Sequence, residues 1–224
     1  LEYNPFARET QMNPYPVYRW LRDEAPVYHN AEIGFYALSR FDDVLQAHRD
    51  AGTFISRYGP QIERWDGTAD VLIATDDPDH GWQRKLVSRL FTPRAINALE
   101  PKVQAIAAGV LDEARERGEL DVVIDFSGYL PMMVIAEMLG LPQEARGDLR
   151  RLSDRMLDRS DADETGEPAA EATAAILEAH TILEQIVEEK EKSPSDDIAS
   201  LLLTETVTDE EGVERRLNRV QVVY

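Results

Sequence analysis

The run DFSGYLPMMVIAEMLGLP, residues 125–142, restricts the fold more than any other stretch of the chain. It is apolar on nearly every side, and a helix that is apolar all round needs partners on several faces. A buried central helix over 126–139 is therefore predicted, closed by Gly140 and Pro142. The surrounding sequence supplies helices to cover it. Ile96, Leu99, Val103, Ile106 and Val110 step by three and four residues, which predicts one amphipathic helix ended by Gly118. ARGDLRRLSDRMLD reads as another. Ile176, Leu177, Leu183, Ile186 and Val187 mark a long helix that stops at Pro194, and SDDIASLLLTE opens a further one with aspartate caps. The fold class is mainly α.

The N-terminal part is different in kind. NPYPVYRWLRDEAPV carries a short helix with Val17, Trp20 and Leu21 on one face, halted by Pro26. PVYHN and GFYALS, rich in valine and aromatics, predict a small β-hairpin. Phe41–His48 reads as a brief helix with Val44 and Leu45 inward. Residues 52–70 hold Gly52, Gly59, Pro60 and Gly67 without a sustained period. They predict a long loop, and such loops in compact domains are often functional. Near the middle, Asp158–Glu171 is acidic and nearly free of apolar residues. It lacks the ordered pattern of a calcium loop and reads as a mobile, solvated lid. His29, His48 and His180 are dispersed, with no metal-ligand spacing.

Charge and composition exclude several functions. The 224 residues carry a net charge of −19, which repels nucleic acid and anionic lipid. There is no cysteine, hence no disulfide, thiolate metal site or cysteine nucleophile within these residues. No apolar run approaches the ~20 residues of a membrane span, and no signal peptide pattern opens the chain. A cytoplasmic setting is expected.

DDPDHGWQRKL, residues 76–86, carries the chemistry. Asp77 is a good N-cap, Pro78 a good first helical residue, and Asp79 adds favourable charge in the first turn. His80 and Arg84 then lie one turn apart on one face near the positive end of the helix. An imidazole and a guanidinium placed there suit a carboxylate or phosphate. Charged pairs near helix starts are common, so the residues alone favour the plainer reading, in which Arg84 pairs with the nearby aspartates and His80 is solvated.

The longer stretch DDPDHGWQRKLVSRLFTPRAI resembles the C-helix segment of soluble bacterial cytochrome P-450 monooxygenases: Asp-x-Pro-x-His, an arginine four residues on, then Phe-Thr-Pro-Arg. NPYPVYRWLRDEAPVY is similar to that family's A helix and first strand, and GFYALSRFDDVLQAHRD to its second strand and B helix. DVVIDFSGYLPMMVIAEMLGLP resembles its E helix and SPSDDIASLLL its H helix. The segments follow family order along essentially the whole chain. The resemblance implies the N-terminal part of one P-450 domain over 1–224. Residues about 15–70 would hold the A helix, strands, B helix and B–C loop, and about 77–224 the C to H helices and the start of I.

The same resemblance implies a haem b (iron protoporphyrin IX) monooxygenase that inserts one oxygen atom from dioxygen into a hydrophobic small molecule. His80 and Arg84 would bind the haem propionates. The family's iron ligand is a cysteine thiolate; with none here, it is expected beyond Tyr224, as are the oxygen-handling helix and the Glu-x-x-Arg pair. The family's pocket roof maps to about 56–73 and 156–168, making Tyr58, Ile62, Trp65, Leu72 and Ile73 the substrate-pocket candidates, Ile73 foremost. Lys85 and Arg89 are the candidates for docking a ferredoxin or similar electron donor. Residues 76–95 hold four basic and three acidic groups, a locally positive site on an acidic chain. The alternative from another class is a non-catalytic acidic helical module for ligand binding or interaction.

Overall fold

The computed structural model describes residues 1–60, 62, 71–157 and 170–223. Its first helices are α1 (Arg8–Met12) and α2 (Tyr15–Glu24), the latter burying Val17 and Leu21. The expected hairpin follows as β1 (Val27–Asn30) and β2 (Phe35–Leu38), antiparallel with Tyr28 opposite Ala37 and His29 opposite Tyr36. Its turn is set by Asn30, whose side-chain oxygen accepts from the amides of Glu32 (3.0 Å) and Ile33 (2.9 Å), while Gly34 takes the positive φ of 82° that closes it. Asn30 Nδ2 donates to the Tyr3 carbonyl at 3.0 Å, so the N-terminal segment is strapped to the hairpin. Helix α3 (Phe41–Arg49) comes next, with Val44 and Leu45 half-buried.

After a single turn at Leu72–Ala74 come α4 (Asp79–Ser88), α5 (Pro93–Asn97) and α6 (Glu100–Arg117). The single helix predicted through Ile96 and Val110 is thus two, with Ile96 exposed on the first. Pro101 is the reason. It sits in the first turn of α6, where its missing N–H is tolerated, and it cannot continue a helix running in from residue 97. Gly118 ends α6 in the left-handed conformation, as predicted.

A π-type turn at Val122–Ser127 leads into α7 (Tyr129–Met138), followed by α8 (Gln143–Leu157) and α9 (Ala170–Lys192). Helix α10 (Ile198–Thr204) starts at Asp197, whose carboxylate caps the Ser200 amide at 2.8 Å. A two-residue ladder, β3 (Val207–Thr208) with β4 (Glu214–Arg215), precedes α11 (Arg219–Val223).

The core lies in three clusters. Trp82 and Leu86 of α4 pack on Val207 and Leu217. Ala136 and Leu141 meet Ile186, and Leu152 of α8 meets Ala175 and Ala179 of α9, with Ile182 against both of these groups. Small residues on α9 let α8 approach closely, and Arg151 and Arg155 flank the seam by pairing with Glu178 at 2.7 and 3.3 Å.

The prediction of a buried helix over 126–139 is not met. α7 buries only Ala136; Ile135 and the preceding Val122, Val123 and Ile124 are exposed. Its described neighbours are α6, α8, the π turn and, at Ala136, Ile186 of α9. The acidic stretch read as a lid falls almost wholly on 158–169, outside the described residues. Among the described residues no helix is long and apolar enough to cross a membrane.

Candidate functional site

The aspartates that open the DDPDH segment divide three tasks. Asp76 reaches back to the loop: its carboxylate accepts from the Ser56 amide at 2.7 Å and from Arg57 Nε at 2.9 Å. These two donors hold its carboxyl below the usual range, the Ser56 amide first and Arg57 next. Asp77 Oδ1 lies 3.9 Å from His80 Nδ1. Asp79 accepts from Trp82 Nε1 at 3.0 Å and orients the indole toward the core. The expected cap is displaced by one residue. α4 begins at Asp79, Pro78 occupies the cap position, and no side chain caps the helix. Asp77 is exposed beside His80 instead.

His80 and Arg84 do share a face. Both line a cavity of about 1230 Å³ between α3, the loop after it and the start of α4. Its apolar wall comes from Leu38, Val44, Phe54, Val71, Leu72 and Ile73. Arg84 is exposed and has no ion pair or hydrogen bond among the described residues, so the pairing with nearby aspartates is absent. A guanidinium with no ion pair among the described residues, one turn from an imidazole in a cavity with one apolar wall, is suited to an apolar molecule bearing carboxylates.

Of the other residues singled out by sequence, Leu72 and Ile73 belong to this wall. Tyr58 and Ile62 do not: Tyr58 is exposed and Ile62 half-buried, outside the cavity lining. Trp65 lies outside the described residues. Lys85 and Arg89 stand on a different face of α4. Lys85 Nζ donates to the Thr208 carbonyl at 2.9 Å and Arg89 Nη1 to that of Thr206 at 3.0 Å, tying β3 to the helix. Residues not anticipated also line the cavity, notably His48, Ile55, Arg57 and Asp76. His48 carried a faint signal, lying one turn from Val44; the link from Asp76 to Ser56 and Arg57 spans about twenty residues of irregular chain and has no periodic signature.

Comparison with known proteins decides the family. No family model matches the chain. It is 38% identical to cyclomarin C epoxidase of Salinispora arenicola, over 84% of this chain and 49% of that protein. It is 34% identical to vitamin D(3) 25-hydroxylase of Pseudonocardia autotrophica, over 99% of this chain and 54% of that one. Among solved structures, a Bacillus megaterium P450, CYP109E1, in complex with testosterone superposes with a TM-score of 0.75 at 32% identity, covering 97% of this chain and 55% of the other.

The chain belongs to the cytochrome P450 family.

It spans about half the length of the curated relatives it matches. The P450 family implies a haem cofactor. The residues of this chain fit one edge of that group. Arg84, which has no ion pair among the described residues, and the adjacent His80 answer to propionate carboxylates, and the apolar wall answers to a macrocycle face. The iron's thiolate has no counterpart among the 224 residues, which contain no cysteine.

Proposed function

We propose that this chain is the propionate-anchoring and pocket-lining part of a haem-thiolate monooxygenase. Its reaction would insert one oxygen atom from dioxygen into a hydrophobic small molecule, by hydroxylation or epoxidation, in a cytoplasmic setting. The observation that carries this reading is the Arg84 guanidinium, without an ion pair among the described residues, beside His80 in a cavity that has one apolar wall. The names of the relatives, a hydroxylase and an epoxidase, support the same kind of reaction.

Haem b, when bound, supplies the dioxygen chemistry. The chain's own residues bind, orient and enclose. Arg84 grips one propionate with two N–H donors, a geometry a lysine does not offer. His80 donates to a propionate from a ring held beside Asp77. Trp82 and Leu86, on the opposite side of α4, fix that helix in the core so that the anchoring face keeps its orientation. Leu72 and Ile73 keep the neighbouring space apolar for a hydrophobic substrate.

Electrons come from a redox partner, a ferredoxin or similar protein. Lys85 and Arg89 are exposed, and their charge on an otherwise acidic chain supports docking of an acidic donor there. Their bonds to Thr208 and Thr206 give them a second, structural task.

The test is a carbon monoxide difference spectrum of the full-length, haem-loaded protein. A Soret band at the position of thiolate-ligated haem supports the proposal. Its absence in folded, haem-loaded protein overturns it and leaves a non-catalytic ligand-binding module.

A further inference from the structure

We propose that Asp76 is a positioning residue that couples the loop on one side of the cavity to the helix carrying His80 and Arg84. The proposal builds on the haem-binding reading of that cavity.

Asp76 acts in two directions at once. Its side chain holds the loop, through the Ser56 amide at 2.7 Å and Arg57 Nε at 2.9 Å. Its main chain holds the helix start, through the bond from the His80 amide to the Asp76 carbonyl at 3.0 Å. The carboxylate is only 16% exposed, and it meets two donors from a segment about twenty positions away. Ser56, Arg57, Asp76, His80 and Arg84 all line the same cavity.

Apolar packing fixes this end of the loop only weakly. Phe54 and Ile55 are 53% and 43% exposed, so apolar burial contributes weakly. The amides of Thr53 and Phe54 bond back to Asp50, which stabilises the turn but not its distance from α4. The reach from Asp76 sets that distance. It also limits how Asp76 itself rotates, and with it the carbonyl on which the first turn of α4 is hung. A shift of the loop is thereby transmitted to His80 without any contact between His80 and the loop being required.

The experiment uses the full-length protein with Asp76→Ala, Asp76→Asn and Arg57→Ala. Amide hydrogen exchange is followed in the haem-free protein at Ser56–Arg57 and at His80–Gly81. Haem transfer to apomyoglobin is followed in the loaded protein. In Asp76→Ala the Ser56 amide is expected to exchange about tenfold faster, as for loss of one charge-assisted bond. The His80 amide should also quicken, although its own acceptor, a backbone carbonyl, is unchanged. Haem loss should quicken several-fold. Asp76→Asn keeps an acceptor for Ser56 and loses the pairing with Arg57, so it should fall between parent and alanine, as should Arg57→Ala. A Ser56 amide that exchanges at the parent rate in Asp76→Ala overturns the latch. Faster exchange at Ser56 with none at His80 and no change in haem loss overturns the coupling. Should Asp76→Ala not fold, Asp76→Asn and Arg57→Ala decide by exchange at His80 and by haem loss: parent values for both in both variants overturn the coupling. Should the parent take up no haem, the haem-binding reading fails, and exchange at the two amides still judges the coupling.

Discussion

Helices α4 and α7 are each ten residues long, and they bury in inverse order to their hydrophobicity. α4 reads DHGWQRKLVS and buries Trp82, Gln83 and Leu86. α7 reads YLPMMVIAEM and buries only Ala136. The difference is in what faces them. α4 is met by the β3 segment and by Val207 and Leu217, and its long basic side chains reach over to the carbonyls of Thr206 and Thr208. Among the described residues α7 packs on α6, on α8 and, through Ala136, on Ile186 of α9, and polar stitches reinforce it: Glu137 to Lys102 of α6 and to Arg146 of α8, both at 2.8 Å. Burial follows the partner surface, not the apolar content of the helix alone. The free energy of transfer is realised only where another element removes water.

The contrast is most easily broken by truncation. Leu86, 1% exposed, should cost about 2–5 kcal/mol when changed to alanine. Ile135, 47% exposed, should cost under about 1 kcal/mol despite lying in the more apolar helix. Urea denaturation of the chain measures both, and equal losses would mean that α7 is packed as tightly as α4. A second check bears on the open face itself. Val123 is 72% exposed and should contribute to binding of an apolar fluorescent dye. Val123→Asp should reduce that fluorescence with little loss of stability, whereas Leu86→Asp should unfold the chain.

The smallest effect concerns the stitches. Hydrogen bonds from Lys102, and next from Arg146, hold the Glu137 carboxyl below its usual range. A depressed folded-state pKa contributes stability that is present above the unfolded value, near 4.5, and lost as pH falls through the lowered folded value. Glu137→Gln should therefore cost about 1 kcal/mol or less at neutral pH, given its partial exposure, and flatten the acid limb of the stability profile. An acid limb that is unchanged in Glu137→Gln would remove this carboxylate from the forces holding α7.

Much of this was legible in the sequence where the cause is local. The hairpin followed from two short β-rich runs, and Asn30 and Gly34 supply the turn between them. The shared face of His80 and Arg84 followed from one helical turn of spacing. Where the cause is an interaction between distant segments, the sequence carried no signal. Val122–Ile124 and Ile135 are apolar, yet nothing in their order tells which faces find a partner. The period through Ile96 and Leu99 concealed the break that Pro101 imposes. Asp76 read as one of several acidic residues at a helix start, while its two donors come from an irregular loop. Tyr58 and Ile62 became candidates through the family's pocket roof, and an irregular backbone gives no rule for which of its side chains line the cavity, as Leu72 and Ile73 do.

The central claim is that the anchoring face of α4 holds haem propionates, and transfer of haem to excess apomyoglobin tests it directly in the full-length protein. A charge-assisted hydrogen bond is worth roughly 1.5–3 kcal/mol, so Arg84→Ala should speed haem loss by about one to two powers of ten. Arg84→Lys should recover only part of this, since it cannot grip a carboxylate with two parallel donors. His80→Ala should act in the same direction more weakly. If Arg84→Ala and His80→Ala both release haem at the parent rate, the pair is a solvated helix start and the claim is wrong.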